Sequence, residues 1–161
     1  DATAVMDGGH TKKVMSVRFH PTANNVIASG SYDQTVKVWD VETQEEVCSM
    51  NLDFPPSCME WNTNGSLLAL SNKTVLIQDP REAKTAVTLG ANWKSGKGCK
   101  VSWINDNEIY GVGFSGSRRQ HNVYDIRNPD KALFEDAIDS GMGFLLPFVD
   151  RANNIVYLAG K

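Results

Sequence analysis

Residues 26–40 read Val26-Ile27-Ala28-Ser29-Gly30-Ser31-Tyr32-Asp33-Gln34-Thr35-Val36-Lys37-Val38-Trp39-Asp40. Two short β-branched runs flank a polar break, the pattern of a strand, a tight turn and a second strand. Working outward, Val14–Phe19 reads as a strand and His20–Asn25 as a turn. Val26–Gly30 is the next strand, Ser31–Gln34 a turn, Thr35–Trp39 a third strand and Glu46–Met50 a weaker fourth. Nothing nearby carries a helical period.

The unit recurs. Cys58–Trp61, Ser66–Ser71 and Thr74–Gln78 form three more strands, with Asn64-Gly65 as a hairpin turn. Lys100–Trp103, Glu108–Phe114 and His121–Tyr124 form a third set, and Gly143–Phe148 with Ile155–Ala159 begin a fourth. The third strands end at Trp39-Asp40, Gln78-Asp79 and Tyr124-Asp125, spacings of 39 and 46 residues. Four strands per repeat, a period of about 40–45 residues and a Trp-Asp ending are the marks of a WD40 β-propeller blade. The fold class is therefore all-β, a WD40 β-propeller of about three and a half blades. Expected blades are 9–50, 51–90, 91–134 and an incomplete 135–161. Residues 1–8 hold the outer strand of a preceding blade, read at Thr3–Met6. An open arc leaves apolar blade faces wet, so the chain is expected to belong to a longer protein or to assemble with copies.

Composition narrows the function classes. Of 161 residues 41% are hydrophobic and 22% charged, with a net charge of −3, which disfavours a general nucleic-acid binder. No apolar run approaches the roughly 18 residues of a membrane span. Cys48, Cys58 and Cys99 are widely spaced, form no CxxC pair and are read as reduced structural thiols. No metal site and no cofactor is expected.

Four motifs have bland explanations. His10, Ser29 or Ser31, Asp33 and Trp39 contain the residue types of a hydrolase triad, but the strained strand-to-helix turn of a nucleophile elbow is missing. In a WD40 blade such residues form a buried network tying strands to a loop. Gly111-Val112-Gly113-Phe114-Ser115-Gly116 fits G-x-G-x-x-G but has no following helix; a turn at Ser117–Gln120 and another strand are expected instead. The 90–98 loop resembles a phosphate-binding loop, with one residue too many and Gly98 where a hydroxyl is required. Asn64-Gly65-Ser66 and Asn72-Lys73-Thr74 fit the glycosylation sequon but are read as hairpin turns. No catalytic residue is assigned and an enzyme is not expected.

Charge placement is the most useful clue. One rim of the propeller carries the turns between second and third strands and the links between blades. That rim is assigned Lys12, Lys13, Lys73, Lys94, Lys97, Lys100, Arg118 and Arg119. The opposite rim is assigned Glu42, Glu45, Glu46, Asp106 and Glu108, while Glu135, Asp136 and Asp139 break the pattern by falling on the basic rim. The basic rim is a candidate docking face for an acidic partner, with Lys12, Lys13, Arg118, Arg119, Lys94 and Lys97 as candidate binding residues.

Whole stretches sharpen the resemblance. Gly9-His10-Thr11-Lys12-Lys13-Val14 with His20-Pro21-Thr22-Ala23-Asn24-Asn25-Val26, and Trp61-Asn62-Thr63-Asn64-Gly65-Ser66 followed by Asp79-Pro80-Arg81, resemble coronin blades. Gly113-Phe114-Ser115 with Arg118-Arg119-Gln120, Leu145-Leu146-Pro147-Phe148 and Val156-Tyr157-Leu158-Ala159-Gly160-Lys161 continue the resemblance in order. It implies a seven-bladed ring that binds filamentous actin and regulates its branching and turnover, in the cytoplasm at the actin cytoskeleton and cell cortex. Contacts with the actin-nucleating complex and coiled-coil oligomerisation belong to family segments outside this chain. So does an actin-binding arginine near the start of the family's propeller. The sequence departs from the family in its Lys-rich 90–98 loop, which lacks a His-containing blade start. The alternative is a WD40 platform for a peptide or another scaffold protein, with no link to actin.

Overall fold

The computed structural model describes residues 4–82, 85–89, 93 and 97–160. Its strands repeat one plan. The first sheet runs β1 (Val14–Phe19), β2 (Val26–Ser31), β3 (Thr35–Asp40) and β4 (Glu45–Asn51). The second runs β5 (Cys58–Trp61), β6 (Leu68–Ser71), β7 (Val75–Gln78) and β8 (Thr85–Leu89). The third runs β9 (Cys99–Trp103), β10 (Glu108–Ser115), β11 (Arg118–Asp125) and β12 (Phe134–Asp139). A fourth, two-stranded sheet holds β13 (Leu145–Asp150) and β14 (Ile155–Gly160). Within each sheet every strand pairs antiparallel with its sequence neighbour. The first strands β1, β5, β9 and β13 lie side by side in succession, so the sheets fan out around a common axis.

Packing follows from the two-residue period of a strand. On β6, Leu68 and Leu70 face the first sheet and join Val36, Val38, Met50 and Met59. Ala69 between them faces the third sheet with Val75, Ile77, Trp103 and Ile109. On β10, Ile109 faces back to the second sheet, while Tyr110 and Val112 face forward to Leu145 of the fourth. Gly111 and Gly113 leave room for the Trp93 indole; a Cβ at either would sit 2.7 or 2.6 Å from it.

The Asp closing each third strand shapes the next turn. Asp40 Oδ1 accepts the amides of Glu42 at 2.8 Å and Thr43 at 3.2 Å. Asp79 and Asp125 accept the amides of Arg81 and Arg127, and each holds that arginine's guanidinium as well. These are Asx turns, the mechanical reason for Asp at this place.

Neighbouring sheets are also stitched by polar contacts. The His20 Nε2–H donates to the Gly65 carbonyl at 3.0 Å, and Nδ1 accepts the amides of Thr22 and Ala23. The ring lies 4.7 Å from that of Trp61. Gly65 has φ +77°, and a Cβ there would meet the imidazole at 2.1 Å. Asn64 N donates on to Asp106, and Trp103 Nε1 donates back to the Glu60 carbonyl.

Several elements differ from the reading of the sequence. Thr3 lies outside the described residues, and Ala4–Met6 form no strand. β8 and β12 are additional strands; both are outermost in their sheets, where one-sided burial relaxes the apolar pattern. β12 carries the third sheet to Asp139, past the division expected at 134. It also moves Glu135 and Asp136 out of a rim loop and onto an outer strand. β11 begins at Arg118, so the expected turn at 117–120 is a tight Gly116-Ser117 hairpin, with Ser115 paired to Arg118 and Gly116 at φ +59°. β6 starts at Leu68, two residues late, because the Asn62 side chain holds the turn by accepting the Leu67 amide and donating to Ser66 Oγ.

The Gly65 geometry predicts that Gly65→Ala is destabilised by about 2 kcal/mol or more, from a strained left-handed φ and a displaced His20. Chemical denaturation of the full-length protein would test this. A midpoint equal to wild type would mean the His20–Gly65 joint holds nothing together.

Candidate functional site

Two groups of residues stand out: the polar network of the first sheet, and the charged rim. The network forms because β2 and β3 bring Ser29 and Trp39 against the segment entering β1. Trp39 Nε1–H donates to Ser29 Oγ at 2.8 Å, and Ser29 Oγ lies 2.7 Å from His10 Nε2. His10 Nδ1 lies 3.0 Å from Asp33 Oδ2, and Thr35 Oγ1–H donates to Asp33 Oδ1 at 2.6 Å. With the proton on His10 Nδ1, every donor has an acceptor: Trp39 to Ser29, Ser29 to His10, His10 to Asp33. Ser31 Oγ–H donates to the Lys12 carbonyl and accepts the Asp33 amide, locking the β2–β3 turn to the incoming chain. His10, Ser29, Ser31, Asp33 and Trp39 thus come together around the β2–β3 turn.

Burial opposes ionisation of Asp33. Bonds from the Thr35 hydroxyl, the Thr11 and Thr35 amides and His10 outweigh it, and hold the carboxyl well below its usual range. Ser, His and Asp stand in the order of a hydrolytic triad, yet the chemistry differs. Ser29 is only 6% exposed, and its oxygen already takes the Trp39 N–H while its proton goes to His10. The Trp39 N–H thus occupies one of the two lone pairs of that oxygen, an inward bond that ties the strand pair together.

The other two full sheets lack the set. Gln78 and Tyr124 hold the place of Trp39, and Gly111 that of Ser29. The Gln78 Oε1 and the Nε1 of Trp61 and Trp93 are buried without a hydrogen-bond partner among the described residues.

The charged rim is defined by chain direction. Lys12 and Lys13 precede β1 and bond through their carbonyls to the β2–β3 turn. Lys73 lies in the β6–β7 turn, tied to the start of β9 by the Cys99 amide on the Asn72 carbonyl at 2.6 Å. Arg118 opens β11 at the β10–β11 turn. All four are exposed, and no hydrogen bond or ion pair engages their side-chain nitrogens among the described residues. Lys97 is exposed, with its amino group 4.4 Å from the Phe114 ring centroid. Lys100 lies on β9 and donates to the Ser57 carbonyl at 2.6 Å. Lys94 lies outside the described residues, as do Gly90 and Gly96 of the phosphate-loop-like stretch.

Arg119 is a correction. Expected as a rim charge, it is turned inward, 15% exposed, and paired with Asp139. Successive strand residues face opposite sides, so Arg118 and Arg119 cannot share a surface. Asp139 is likewise no free acidic break in a basic rim. On the opposite rim Glu46 pairs with Lys37, and the exposed Arg81 and Arg127 are held by Asp79 and Asp125. The sequon asparagines serve their turns: Asn64 Oδ1 accepts the Ser66 amide, and Asn72 Nδ2 donates to the Pro55 carbonyl.

Two features have no signal in the sequence. The first strands line an axial cleft of about 440 Å³ with Arg18, Glu60, Lys100, Ser102 and Arg151. Burial raises the Glu60 carboxyl, against the Ser102 hydroxyl and the charges of Arg151 and Arg18. The second is an aromatic step beneath the rim, Phe114 edge-on to Phe144 at 5.4 Å. Each needs residues from separate blades, and no local pattern announces it. Among the described residues no group of three or more His, Cys, Asp or Glu is placed to hold a metal. No described helix is long and apolar enough to cross a membrane.

A family model for the WD domain, G-beta repeat, matches residues 4–40. Coronin-like protein crn1 of Schizosaccharomyces pombe is 36% identical over 158 residues, covering 95% of this chain and 26% of that protein. The coronin-like protein of Saccharomyces cerevisiae is 35% identical over 95% of this chain and 24% of its own length. The WD40 domain of Toxoplasma gondii coronin superposes with a TM-score of 0.90 at 31% identity, over 95% of this chain and 41% of that one. The chain belongs to the coronin family. It spans about a quarter of the length of these two coronin-like proteins. The fold is a partial WD40 propeller; U3-55K, at 16% identity and a TM-score of 0.67, shares that fold alone. Cys48, Cys58 and Cys99 form no disulfide, and burial pushes the Cys99 thiol up to about 12.

The network generates a prediction for stability. Asp33→Ala strands the His10, Thr11 and Thr35 donors, at about 1–3 kcal/mol for each buried group left unpaired. Because the folded carboxyl titrates below its unfolded value, its contribution is present above about pH 4 and is lost as pH falls below that. Asp33→Asn should flatten this acid limb in denaturant midpoints measured from pH 7 down to 3. An unchanged limb would assign acid sensitivity to other carboxylates.

Proposed function

We propose that this coronin segment is part of an actin-binding scaffold that works by protein–protein contact, without catalysis, in the cytoplasm at the actin cytoskeleton and cell cortex. The observation that carries the reading is the rim itself: Lys12, Lys13, Lys73 and Arg118 are exposed with no internal partner among the described residues. Cations spent on intramolecular pairs do little for a partner, whereas unpaired ones steer an acidic surface and fix its orientation. The coronin names of the relatives favour filamentous actin as that surface. Contacts with the actin-nucleating complex, and oligomerisation, would rest on parts of a longer protein. Arg119 drops out of the docking set because its charge is already matched.

A second reading has one observation behind it. On the opposite rim a groove of about 500 Å³ between the first two blades is lined by Val26, Val38, Val47, Trp61 and Arg81. Its walls combine these apolar side chains with the polar groups of His20, Asn64 and Ser66, a mixture that can hold a peptide segment and suits a WD40 platform unconnected to actin.

Replacing Lys12, Lys13 and Arg118 together with Glu in the full-length protein should weaken co-sedimentation with actin filaments roughly tenfold or more at moderate salt. Binding should also become less salt-dependent, while the unfolding free energy stays within about 0.5 kcal/mol of wild type per site. Wild-type affinity in the triple variant would remove the rim from the reading and favour the groove.

A further inference from the structure

The Arg119 side chain holds a loop, and the loop offers something to a partner. Its Nε donates to Asp139 Oδ1 at 2.5 Å, Nη2 pairs with Oδ2, and Nη1 donates to the Gly143 carbonyl at 3.3 Å. One planar guanidinium therefore grips both ends of a five-residue span. The Gly141 amide donates to the same Asp139 carboxylate at 2.8 Å. The chain crosses so close over the guanidinium that a Cβ at Gly141 would lie 2.5 Å from Arg119 Cζ. With both ends pinned and the inner side filled, the residue between the two glycines turns outward. Met142 is 81% exposed, the most exposed of the large hydrophobic side chains among the described residues.

Its surroundings point to one kind of partner. Phe144, two residues on, is 42% exposed and stands edge-on to Phe114. The Lys100 amino group lies 5.9 Å from the Phe144 ring, and that of Lys97 lies 4.4 Å from the Phe114 ring. The loop's one carboxylate, Asp139, is matched by Arg119. The patch is thus apolar at its centre, with the Lys97 and Lys100 amino groups packed on its rings, Lys100 also donating to the Ser57 carbonyl, and the carboxylate of its own loop matched by Arg119. A flexible thioether beside an aromatic ring makes an adaptable contact, and a charged border sets orientation.

We propose that Met142 and Phe144 form the apolar anchor of the docking face, and that their partner is an acidic protein surface carrying an apolar side chain among its carboxylates. Arg119 is the positioning residue that presents this anchor. The inference rests on the reading of the basic rim as the actin-facing side. It adds the contact that would hold the complex once charge has brought it together.

The test uses full-length protein and polymerised actin, with affinity followed from low to moderate salt. Met142→Ser removes an exposed side chain and leaves the fold intact, as the unfolding midpoint would show. It should weaken binding about tenfold with an unchanged salt slope, and Met142→Leu should restore binding. The Lys12, Lys13 and Arg118 charge reversal should instead change the slope. Wild-type binding by Met142→Ser, alongside weakened binding by the charge reversal, would overturn the anchor and leave the rim reading standing. Full binding by both variants would overturn the rim reading and the anchor with it. A salt slope altered by Met142→Ser would also count against the anchor, since it would mean that the loop acts through charge.

Discussion

A sheet that is apolar on both faces is stable only between two others. The strands here are short and alternate with a period of two, so each sends half of its side chains to the blade before and half to the blade after. Leu68 and Leu70 belong to one interface, and Ala69 between them to the next. Each blade is completed by its neighbours, as in other repeat proteins. The ends of the arc show the same rule unmet. Val14, Val17 and Phe19 on β1 are 42%, 46% and 77% exposed, and Phe148 and Tyr157 on the last sheet are each 56% exposed.

Within that frame, polar groups decide which blades are rigidly specified. The first blade ties strands and loop together through Trp39, Ser29, His10 and Asp33, each donor finding an acceptor. The second and third solve the problem differently. Gln78 replaces the tryptophan and leaves Oε1 without a partner, and the third uses Gly111 and Gly113 to admit the Trp93 ring. Steric fit replaces hydrogen bonding there. The interfaces compensate with cross-blade bonds, such as His20 to Gly65, Asn64 to Asp106, and Trp103 to Glu60.

The same economy divides the surface charges. An arginine beside an aspartate two residues earlier, as in Asp79-Pro80-Arg81 and Asp125-Ile126-Arg127, is spent on its own turn. Arg119 is spent on a loop twenty residues away. What remains for a partner among the described residues is the subset left over after these internal pairs: Lys12, Lys13, Lys73 and Arg118 stand together at one rim, and Lys131 stands apart from them in the β11–β12 link. A rim read from charge alone overstates its cations and misses the apolar side chains that the paired ones present.

The repeat, the first three strands of each full blade and the place of the Asp ending each third strand were legible in the sequence. They depend on local period and turn chemistry, which act between residues close along the chain. The His10–Asp33 network was legible too, because its members fall at fixed places within one repeat. The outer strands β8 and β12 were not, since burial on a single side leaves little alternation to see. Nor were the fate of Arg119, the His20–Gly65 joint or the Trp93 slot. Arg118 and Arg119 are chemically alike and adjacent, and only the register of β11 sends one to solvent and the other to Asp139. His20 and Gly65 are 45 residues apart, and only the packing of one blade against the next brings them within hydrogen-bond reach. Local chemistry determined what each blade would be, and tertiary packing decided which of its polar and charged groups were left to meet a partner.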